Sequence, residues 1–282
     1  MKKNVEYLLH KKQNHQKIVA LTCYDYPTAV LEDKAGVDVI FVGDSVGTNI
    51  LGYEDETQVT IDDIVHHLKA VSRGVKNSFI LADLPYNSYQ TSVQALDNAK
   101  RLVRNGADCV KLEGLHPEIV KTLIQHNIHV CGHLGLQPQH HHSKAVQGKT
   151  FEQAKEIIQA ALSLEQSGIF MLVLELVPEE LAQVITEKLK IPTIGIGSGC
   201  HNDGQVLIIN DILGITPRKL RLAKRYQDFQ TLMLDTIEEY TQDVMGNTFP
   251  TEENLRHMPD EEWKALQEWL QKNSKLSPNR LD

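Results

Sequence analysis

The chain has 282 residues, of which 41% are hydrophobic and 23% charged, a composition typical of a globular protein with a large core. Its formal net charge of −8 argues against nucleic-acid binding, which would need a basic surface, and against a polybasic membrane-binding segment. Residues 1–17 lack the apolar core of a signal peptide, and no apolar run reaches the roughly 18 residues of a transmembrane helix. We therefore expect a cytoplasmic protein without membrane or nucleic-acid partners.

The four cysteines are scattered along the chain without a C-x-x-C spacing. Three of them lie in apolar segments that resemble strands. We therefore expect small buried thiols in a reducing cytoplasm rather than disulfides or a zinc site. The residues are Cys23, Cys109, Cys131 and Cys200.

Eight short apolar segments, most of them rich in Val and Ile, predict β-strands that are buried on both faces. Helical patterns lie between several of them, at residues 28–36, 94–107, 150–168 and 178–189. The predicted strands are residues 18–24, 37–43, 78–82, 108–112, 129–132, 170–174, 192–197 and 205–210.

Strands and helices alternate along the chain, which predicts parallel strands joined by helical crossovers. Eight such units favour a closed (β/α)8 barrel, or TIM barrel, and a chain of this length often forms one such domain. An open doubly wound sheet is the alternative, but no G-x-G-x-x-G motif follows the first strand. We expect the barrel to occupy residues 1–250, followed by a C-terminal helical extension and tail at residues 251–282.

Polar residues end or directly follow five of the predicted strands. Because the carboxyl ends of the strands form the active-site face of such a barrel, we expect these side chains to converge there. A polar residue in this position is often only the first residue of a loop, but that explanation is weak for five corresponding positions. The five residues are Asp44, Asp83, Glu113, His133 and Glu175.

Several carboxylates in one pocket repel one another, and burial adds to the cost of their charge. A hard cation such as Mg²⁺ offsets this repulsion, and a set of oxygen ligands favours it over zinc. Ion pairing with Lys111 is the rival explanation for the acids. Because Lys111 and Glu113 are two residues apart on a strand, both point to the same face. We expect both the lysine and a metal ion to belong to the site.

Nine sequence motifs, in order over residues 1–250, resemble those of the ketopantoate hydroxymethyltransferase family. The motifs are TCYDYPTA, VGDSVG, ADLPYNSY, VKLEG, VCGHLGLQPQ, VLELVP, IGIGSG, DGQVLIINDILGI and AKRY. The resemblance implies a barrel of the phosphoenolpyruvate/pyruvate enolate type, assembled as a homodecamer. It also implies Mg²⁺, 5,10-methylenetetrahydrofolate and hydroxymethyl transfer to 2-oxoisovalerate (3-methyl-2-oxobutanoate), which gives ketopantoate for pantothenate and coenzyme A biosynthesis.

The resemblance further implies how the metal and the substrate are bound. Asp44 and Asp83 are expected to be direct metal ligands, with Glu113 in the outer shell or bound through water. Ser45 and Lys111 are expected to hold the carboxylate and keto oxygens of the 2-oxo acid, beside the two aspartates. Taken alone, a serine in a glycine-flanked turn also often bonds its own backbone.

Glu175 is implied to be the catalytic acid/base, with His133 beside it. Removal of the proton next to the ketone leaves negative charge on the keto oxygen, which a bound metal ion stabilises. Taken alone, His133 is more typical of a histidine that is satisfied within a core than of a catalyst. Asp25 also follows a strand, and one interpretation is that it only braces the pocket.

One segment departs from the pattern of the family. Family members commonly carry a glycine-containing loop after the fifth strand, whereas this chain reads LQPQHHHSKAVQGKT, without a Gly-Gly pair. A lid over the site would lie there, so we expect altered lid movement or reduced catalysis. The triple histidine His140–His142 either binds a transition metal or forms a solvated loop tip.

Two other functions stay open at this point. One is a metal-dependent lyase of the same barrel type, which cleaves a C–C bond of a 2-oxo acid without folate. Such lyases typically place a cysteine on a mobile loop, and we recognise no cysteine of that kind. The other is a non-catalytic homologue with an altered lid, against which the retained acidic residues argue.

Overall fold

The computed structural model describes residues 2–139, 145–216 and 220–273. Eight parallel strands close into a barrel in sequence order, with the last strand paired to the first. The predicted (β/α)8 barrel is therefore confirmed over the open doubly wound sheet. The strands are β1 Ile18–Thr22, β2 Val39–Val42, β3 Phe79–Asp83, β4 Cys109–Glu113, β5 Val130–Gly135, β6 Met171–Glu175, β7 Thr193–Ile196 and β8 Gly204–Leu207.

All eight predicted strands are present, and the prediction was least accurate for β8. That strand ends at Leu207, whereas the sequence predicted a strand as far as residue 210. The difference arises because Ile209–Leu213 forms a short helix, which ends at Gly214 in the left-handed conformation. The backbone N–H of Ile209 donates to Oγ1 of Thr22 at 3.1 Å, which ties this helix to the end of β1.

Helices connect most of the strands. The four helices predicted between strands correspond to α2, α4, α6 and α7. The helices up to the end of the barrel are α1 Val5–Gln13, α2 Tyr26–Ala35, α3 Ile61–Gly74, α4 Ser92–Arg104, α5 Pro117–Gln125, α6 Phe151–Ser167, α7 Glu179–Lys188 and α8 Ile209–Leu213.

Side-chain caps account for several of the helix boundaries. The carboxylate of Asp25 accepts a hydrogen bond from the backbone N–H of Thr28 at 2.8 Å, so this residue caps the start of α2. Thr60 and Asp63 form a reciprocal capping box at the start of α3. Gly168 ends α6 with a φ of 105°, a conformation that glycine adopts without steric cost.

Alternate residues of each strand point into the barrel. In β4 these are Cys109, Lys111 and Glu113, so an apolar interior gives way to charged groups at the carboxyl end of the strand. A separate apolar layer packs between the strands and the helices. The strand residues of the apolar interior are Ile18, Ala20, Val39, Phe41, Phe79, Leu81, Cys109, Cys131, Met171, Val173, Ile194 and Val206.

Helix α1, which was not predicted from the sequence, packs at the amino-terminal end of the barrel. Its Leu8 is 0% exposed and belongs to the apolar interior. Lys11 and Lys12 form ion pairs of 2.5 and 2.7 Å with Asp38 and Asp203, each of which directly precedes a strand. These contacts hold the helix beneath the strands and away from the carboxyl ends.

Contacts within the chain divide it into two units, Met1–Phe229 and Gln230–Asp282. The second unit contains α9 Phe229–Met245, apart from its first residue, and α10 Asp260–Lys272. This division falls before residue 250, where the sequence predicted the end of the barrel domain. The predicted domain boundary stays a prediction. Within the described ranges, no helix is both long enough and apolar enough to cross a membrane.

Candidate active site

All seven residues that the sequence analysis assigned to the site line one cavity at the carboxyl ends of the strands. The cavity has a volume of about 550 Å³ and combines these polar groups with apolar walls. The seven residues are Asp44, Ser45, Asp83, Lys111, Glu113, His133 and Glu175.

The strand register brings the charged groups together. β3 and β4 pair so that Asp83 lies beside Lys111, and β4 and β5 pair so that Glu113 lies beside His133. Because all four residues have the parity that points into the barrel, their side chains meet inside it rather than among the helices. Glu175 ends β6 and is paired with Gly135 of β5.

Lys111 forms the central ion pair of the site. Its Nζ lies 2.6 Å from Oδ1 of Asp83, and both side chains are buried. Burial alone would lower the pKa of Lys111, but the charges of Asp83, Glu113 and Asp44 outweigh it and raise that pKa. The lysine is therefore a firmly held cation. The alternative explanation, that the acidic residues form ion pairs with Lys111, is therefore correct for Asp83.

Asp44 lies in the turn that follows β2, two residues beyond the end of that strand. Its backbone N–H donates to Oδ2 of Asp83 at 2.9 Å, which places the two carboxyl groups side by side. Burial and the charge of Asp83 raise the pKa of Asp44 well above its ordinary value. Burial also raises the pKa of Asp83, although Lys111 opposes that shift.

His133 bridges two carboxyl groups. Its Nδ1 lies 3.3 Å from Oε1 of Glu113, and its Nε2 lies 3.4 Å from Oε2 of Glu175. Burial and the charge of Lys111 lower the pKa of His133, but the two glutamates reverse this and raise it to about 9. The two glutamates therefore favour the protonated imidazole, and they act against Lys111, whose Nζ lies 3.4 Å from Nδ1 of His133.

The backbone around Glu175 is tightly arranged. Gly135, on the neighbouring strand, has a φ of 95°, and a Cβ atom there would lie 2.1 Å from the carbonyl oxygen of Glu175. Leu176, directly after Glu175, also has a positive φ, of 46°, which is uncommon for a residue with a side chain. This turn ends β6 and leaves Glu175 at the mouth of the cavity.

Ser45 faces the cavity but also has a protein partner. Its Oγ lies 2.8 Å from the hydroxyl of Tyr24, while its carbonyl oxygen accepts from Nδ2 of Asn49 at 2.9 Å. The hydroxyl is thus held by a side chain from the loop after β1, in place of the local backbone bond that is common in such turns.

Gln139 and Tyr89 lie beside the carboxyl groups of the site, but the sequence analysis assigned neither of them. Gln139, which is 2% exposed, contacts both Asp44 and Glu113, and its Oε1 accepts a 2.6 Å hydrogen bond from the hydroxyl of Tyr89. Both residues lie in segments that the family motifs contain, ADLPYNSY and LGLQPQ. The only available signal was a polar residue within a motif, which does not reveal its contacts.

The charges of the cavity fit a divalent cation. The lining contains six carboxyl groups, against two basic side chains and the imidazole of His133. Such an excess of buried negative charge is costly, as the raised pKa of Asp44 shows, and a cation offsets it. The carboxyl groups belong to Asp44, Glu56, Asp83, Glu113, Glu175 and Asp211, and the basic side chains to Lys111 and Arg221.

The cysteines only partly follow the expectation of small buried residues. Cys23, Cys109 and Cys131 are buried, but Cys200 is exposed, and all four are free thiols. The Cys200 thiol donates to Oε1 of Glu179 at 3.2 Å, outside the cavity. His140–His142 lie outside the described residues, so their two interpretations stay predictions.

The fold and this cavity define a class of protein, a parallel (β/α)8 barrel with an acid-rich cavity at the carboxyl ends of its strands. Among solved structures, the chain resembles phosphonopyruvate hydrolase in complex with oxalate and Mg²⁺, with a TM-score of 0.61, 10% identity and coverage of 96% of this chain and 97% of the other. It also resembles 2,3-dimethylmalate lyase, a member of the PEP mutase/isocitrate lyase superfamily, with a TM-score of 0.57, 12% identity and coverage of 98% and 99%. These likenesses confirm the predicted (β/α)8 barrel fold.

The chain belongs to the ketopantoate hydroxymethyltransferase family, whose model matches residues 2–252. It is 44% identical over 277 residues to the 3-methyl-2-oxobutanoate hydroxymethyltransferase of Nitrosopumilus maritimus (strain SCM1), a match that covers 96% of this chain and 99% of the relative. It is 49% identical over 251 residues to the protein of that name from Thermoanaerobacter sp. (strain X514), with coverage of 86% and 92%. The family resemblance drawn from the nine motifs is thus confirmed.

Proposed function

We propose that this chain transfers a hydroxymethyl group from 5,10-methylenetetrahydrofolate to 2-oxoisovalerate, which gives ketopantoate for pantothenate and coenzyme A biosynthesis. The observation that carries the proposal is family membership over residues 2–252, together with a cavity that keeps every residue assigned from the motifs. The chain is thus an enzyme of the transferase class. Its substrates are a small 2-oxo acid and a folate one-carbon donor.

Asp44 and Asp83 would hold Mg²⁺ directly, with Glu113 in the outer shell. The excess of carboxyl groups in the lining supports a divalent cation, and carboxylate oxygens are ligands that Mg²⁺ prefers. Glu113 suits an outer position because Oε1 contacts His133 at 3.3 Å and Oε2 accepts from the backbone of Gln139 at 3.1 Å. Bound Mg²⁺ supplies Lewis-acid stabilisation of the charge that forms on the keto oxygen of the substrate.

Lys111 and Ser45 would bind the polar end of the 2-oxo acid. Lys111 is the buried cation nearest to both aspartates, and its raised pKa keeps it charged for a carboxylate or keto oxygen. The Ser45 hydroxyl faces the same cavity and is held by Tyr24. Lys111 and Ser45 can therefore each bind a different oxygen of the 2-oxo acid.

The apolar walls of the cavity suit the branched end of 2-oxoisovalerate. An isopropyl group needs an apolar surface of its own size, since each buried methylene contributes about 0.8 kcal/mol. Such apolar side chains line the cavity together with the charged cluster, and they come from β2, β6, β7 and β8. They are Phe41, Val173, Ile196, Val206 and Leu207.

Glu175 would remove the proton from C3 of the substrate. It stands at the cavity mouth with 17% of its side chain exposed, within reach of a ligand, and Nε2 of His133 lies 3.4 Å from its Oε2. Through this contact His133 can orient the carboxylate of Glu175. The resulting enolate would then attack the one-carbon unit, whose bonds to the folate nitrogens break, while water supplies the oxygen of the new hydroxymethyl group.

The chain would act as a cytoplasmic homo-oligomer, and the family resemblance implies a decamer. Large apolar side chains that are exposed within the second unit support association with further copies, since such patches are rare on isolated proteins. The side chains on α9 include Leu232, Met233, Leu234, Ile237, Tyr240 and Val244.

An assay with 2-oxoisovalerate, in the presence and absence of 5,10-methylenetetrahydrofolate, tests the proposal. We expect ketopantoate to form only when both the folate and Mg²⁺ are present, and EDTA to abolish its formation until Mg²⁺ is restored. Folate-independent cleavage of a 2-oxo acid would favour the lyase instead. A chain that is folded but inactive towards 2-oxo acids would favour the non-catalytic homologue.

A further inference from the structure

Gln139 makes polar contacts with two carboxyl groups of the site, those of Asp44 and Glu113, and no function has been assigned to it so far. Its Nε2 donates to Oδ2 of Asp44 at 2.7 Å and lies 3.3 Å from the carbonyl oxygen of Leu84. Its backbone N–H donates to Oε2 of Glu113 at 3.1 Å. One residue therefore contacts two carboxyl groups that come from different parts of the barrel.

The orientation of the Gln139 amide is determined by its neighbours. The hydroxyl of Tyr89 donates to Oε1 at 2.6 Å, and the carboxylate of Asp44 accepts at the other end. A flipped amide would place its oxygen against the Asp44 carboxylate, where two acceptors repel. The chain from Tyr89 through Gln139 to Asp44 thus has one favourable direction.

The carboxyl groups of Asp83, Glu113 and Asp44 differ in how many of their oxygens have protein partners. Asp83 has a partner at each oxygen, Lys111 at 2.6 Å and the backbone N–H of Asp44 at 2.9 Å, and each oxygen keeps a second lone pair for a cation. The contacts to His133 and Gln139 likewise engage both oxygens of Glu113. Within the described parts of the chain, Asp44 has a contact of this kind at Oδ2 only, and since Asp44 lines the cavity, Oδ1 is the oxygen available to a ligand there.

We propose that Gln139, held by Tyr89, is a positioning residue that fixes the Asp44 carboxylate so that Oδ1 is presented to the cation. Partners of this kind set the orientation of metal ligands and change metal affinity by about 10- to 100-fold when removed. The inference rests on the Mg²⁺ site of the proposed function, and it adds a residue and a direction of hydrogen bonding to that site.

Calorimetric titration of the unaltered enzyme and its variants with Mg²⁺, without substrates, tests the inference. Gln139→Met keeps the length of the side chain and its backbone bond to Glu113, but it removes the amide. We expect it to weaken Mg²⁺ binding by about 10- to 100-fold. Gln137→Met, two residues earlier, is the matched control, because it leaves the bonds of Gln139 to Asp44 and Glu113 in place, and it should bind as the unaltered enzyme does.

Tyr89→Phe provides a second test that leaves Gln139 in place. It removes only the hydroxyl that orients the amide, so we expect a smaller loss of Mg²⁺ affinity in the same direction. In the double variant the Tyr89→Phe change should have no further effect, because it acts through the amide. Activity assays should show a raised Mg²⁺ concentration for half-maximal rate, with kcat at saturating Mg²⁺ changed much less.

The outcomes separate this inference from the proposed function. Equal Mg²⁺ affinity in Gln139→Met, Gln137→Met and the unaltered enzyme would overturn the role of Gln139 while the metal site stands. An unaltered enzyme that forms ketopantoate but binds no Mg²⁺ would overturn both the metal site and this inference. If Gln139→Met does not fold, unchanged affinity in Tyr89→Phe would overturn the inference by itself.

Discussion

Glu175 and His133 differ in how the barrel holds them, which bears on which of them is the base. The His133 side chain is 3% exposed and contacts carboxyl groups through both ring nitrogens, whereas 17% of the Glu175 side chain is exposed. The flanking glutamates raise the pKa of His133 to about 9, which favours its protonated form over a form that accepts a proton. Glu175 is therefore the better placed group to accept a proton from carbon.

We expect Glu175→Gln to lower kcat by about 100-fold or more, since the amide keeps the shape of the side chain but not its basicity. Affinity for 2-oxoisovalerate and Mg²⁺ should change little. Deuterium exchange at C3 of 2-oxoisovalerate, followed by NMR without folate, measures the proton-transfer step alone. Glu180→Gln, an exposed change on α7, is the control. Exchange at the unaltered rate in Glu175→Gln would assign the base to another group.

Glu32 on α2 is a buried carboxyl group with no role in the cavity. It is 4% exposed, and within the described chain neither of its oxygens has a hydrogen-bond partner. Burial, with a smaller contribution from Asp25, raises its pKa from 4.5 to about 8. Between these two values the folded protein binds a proton that the unfolded chain releases, so the free energy of unfolding falls as the pH rises.

Glu32→Gln should therefore remove a pH dependence of up to about 1.4 kcal/mol per pH unit from the free energy of unfolding. The unaltered protein should lose this stability as the pH rises from about 5 to about 8, and the variant should not. Urea unfolding across this range measures the difference, with the exposed Glu118→Gln as control. A variant with the slope of the unaltered protein would show that Glu32 ionises normally.

At the scale of single elements, α1 closes the end of the barrel opposite the cavity. Leu8→Ala should lower the free energy of unfolding by about 2–5 kcal/mol, because it leaves a hole in the apolar interior. Leu31→Ala on α2, where the side chain is 65% exposed, should cost about 0.5 kcal/mol or less. Urea unfolding of both variants makes the comparison, and equal losses would contradict the packing of α1 into the barrel.

For the whole molecule, we expect sedimentation velocity to show a large homo-oligomer, a decamer by family resemblance. A single species of 31.8 kDa at micromolar concentration would contradict this. Ile237→Asp places a charge among the exposed apolar side chains of α9 and should reduce the sedimenting mass. Leu31→Asp, an equally exposed change in the first unit, is the matched control and should leave the mass unchanged.

The sequence by itself determined the number and order of the strands, the barrel class and the polar groups at the strand ends. These features are local, since a buried parallel strand is a short apolar run and its end is the first polar residue. The same reasoning missed α1, and it extended β8 into a helix, because their packing partners lie far along the chain.

Only the tertiary structure decided how the polar groups share their contacts. Asp83 pairs with Lys111 because β3 and β4 lie in register, and the pKa of His133 rises because two glutamates flank it. Gln139 and Asp44 are 95 residues apart and bond through side chains. A linear pattern records which groups are available, but distances between side chains, and therefore pKa values and the orientation of ligands, arise only when the barrel closes.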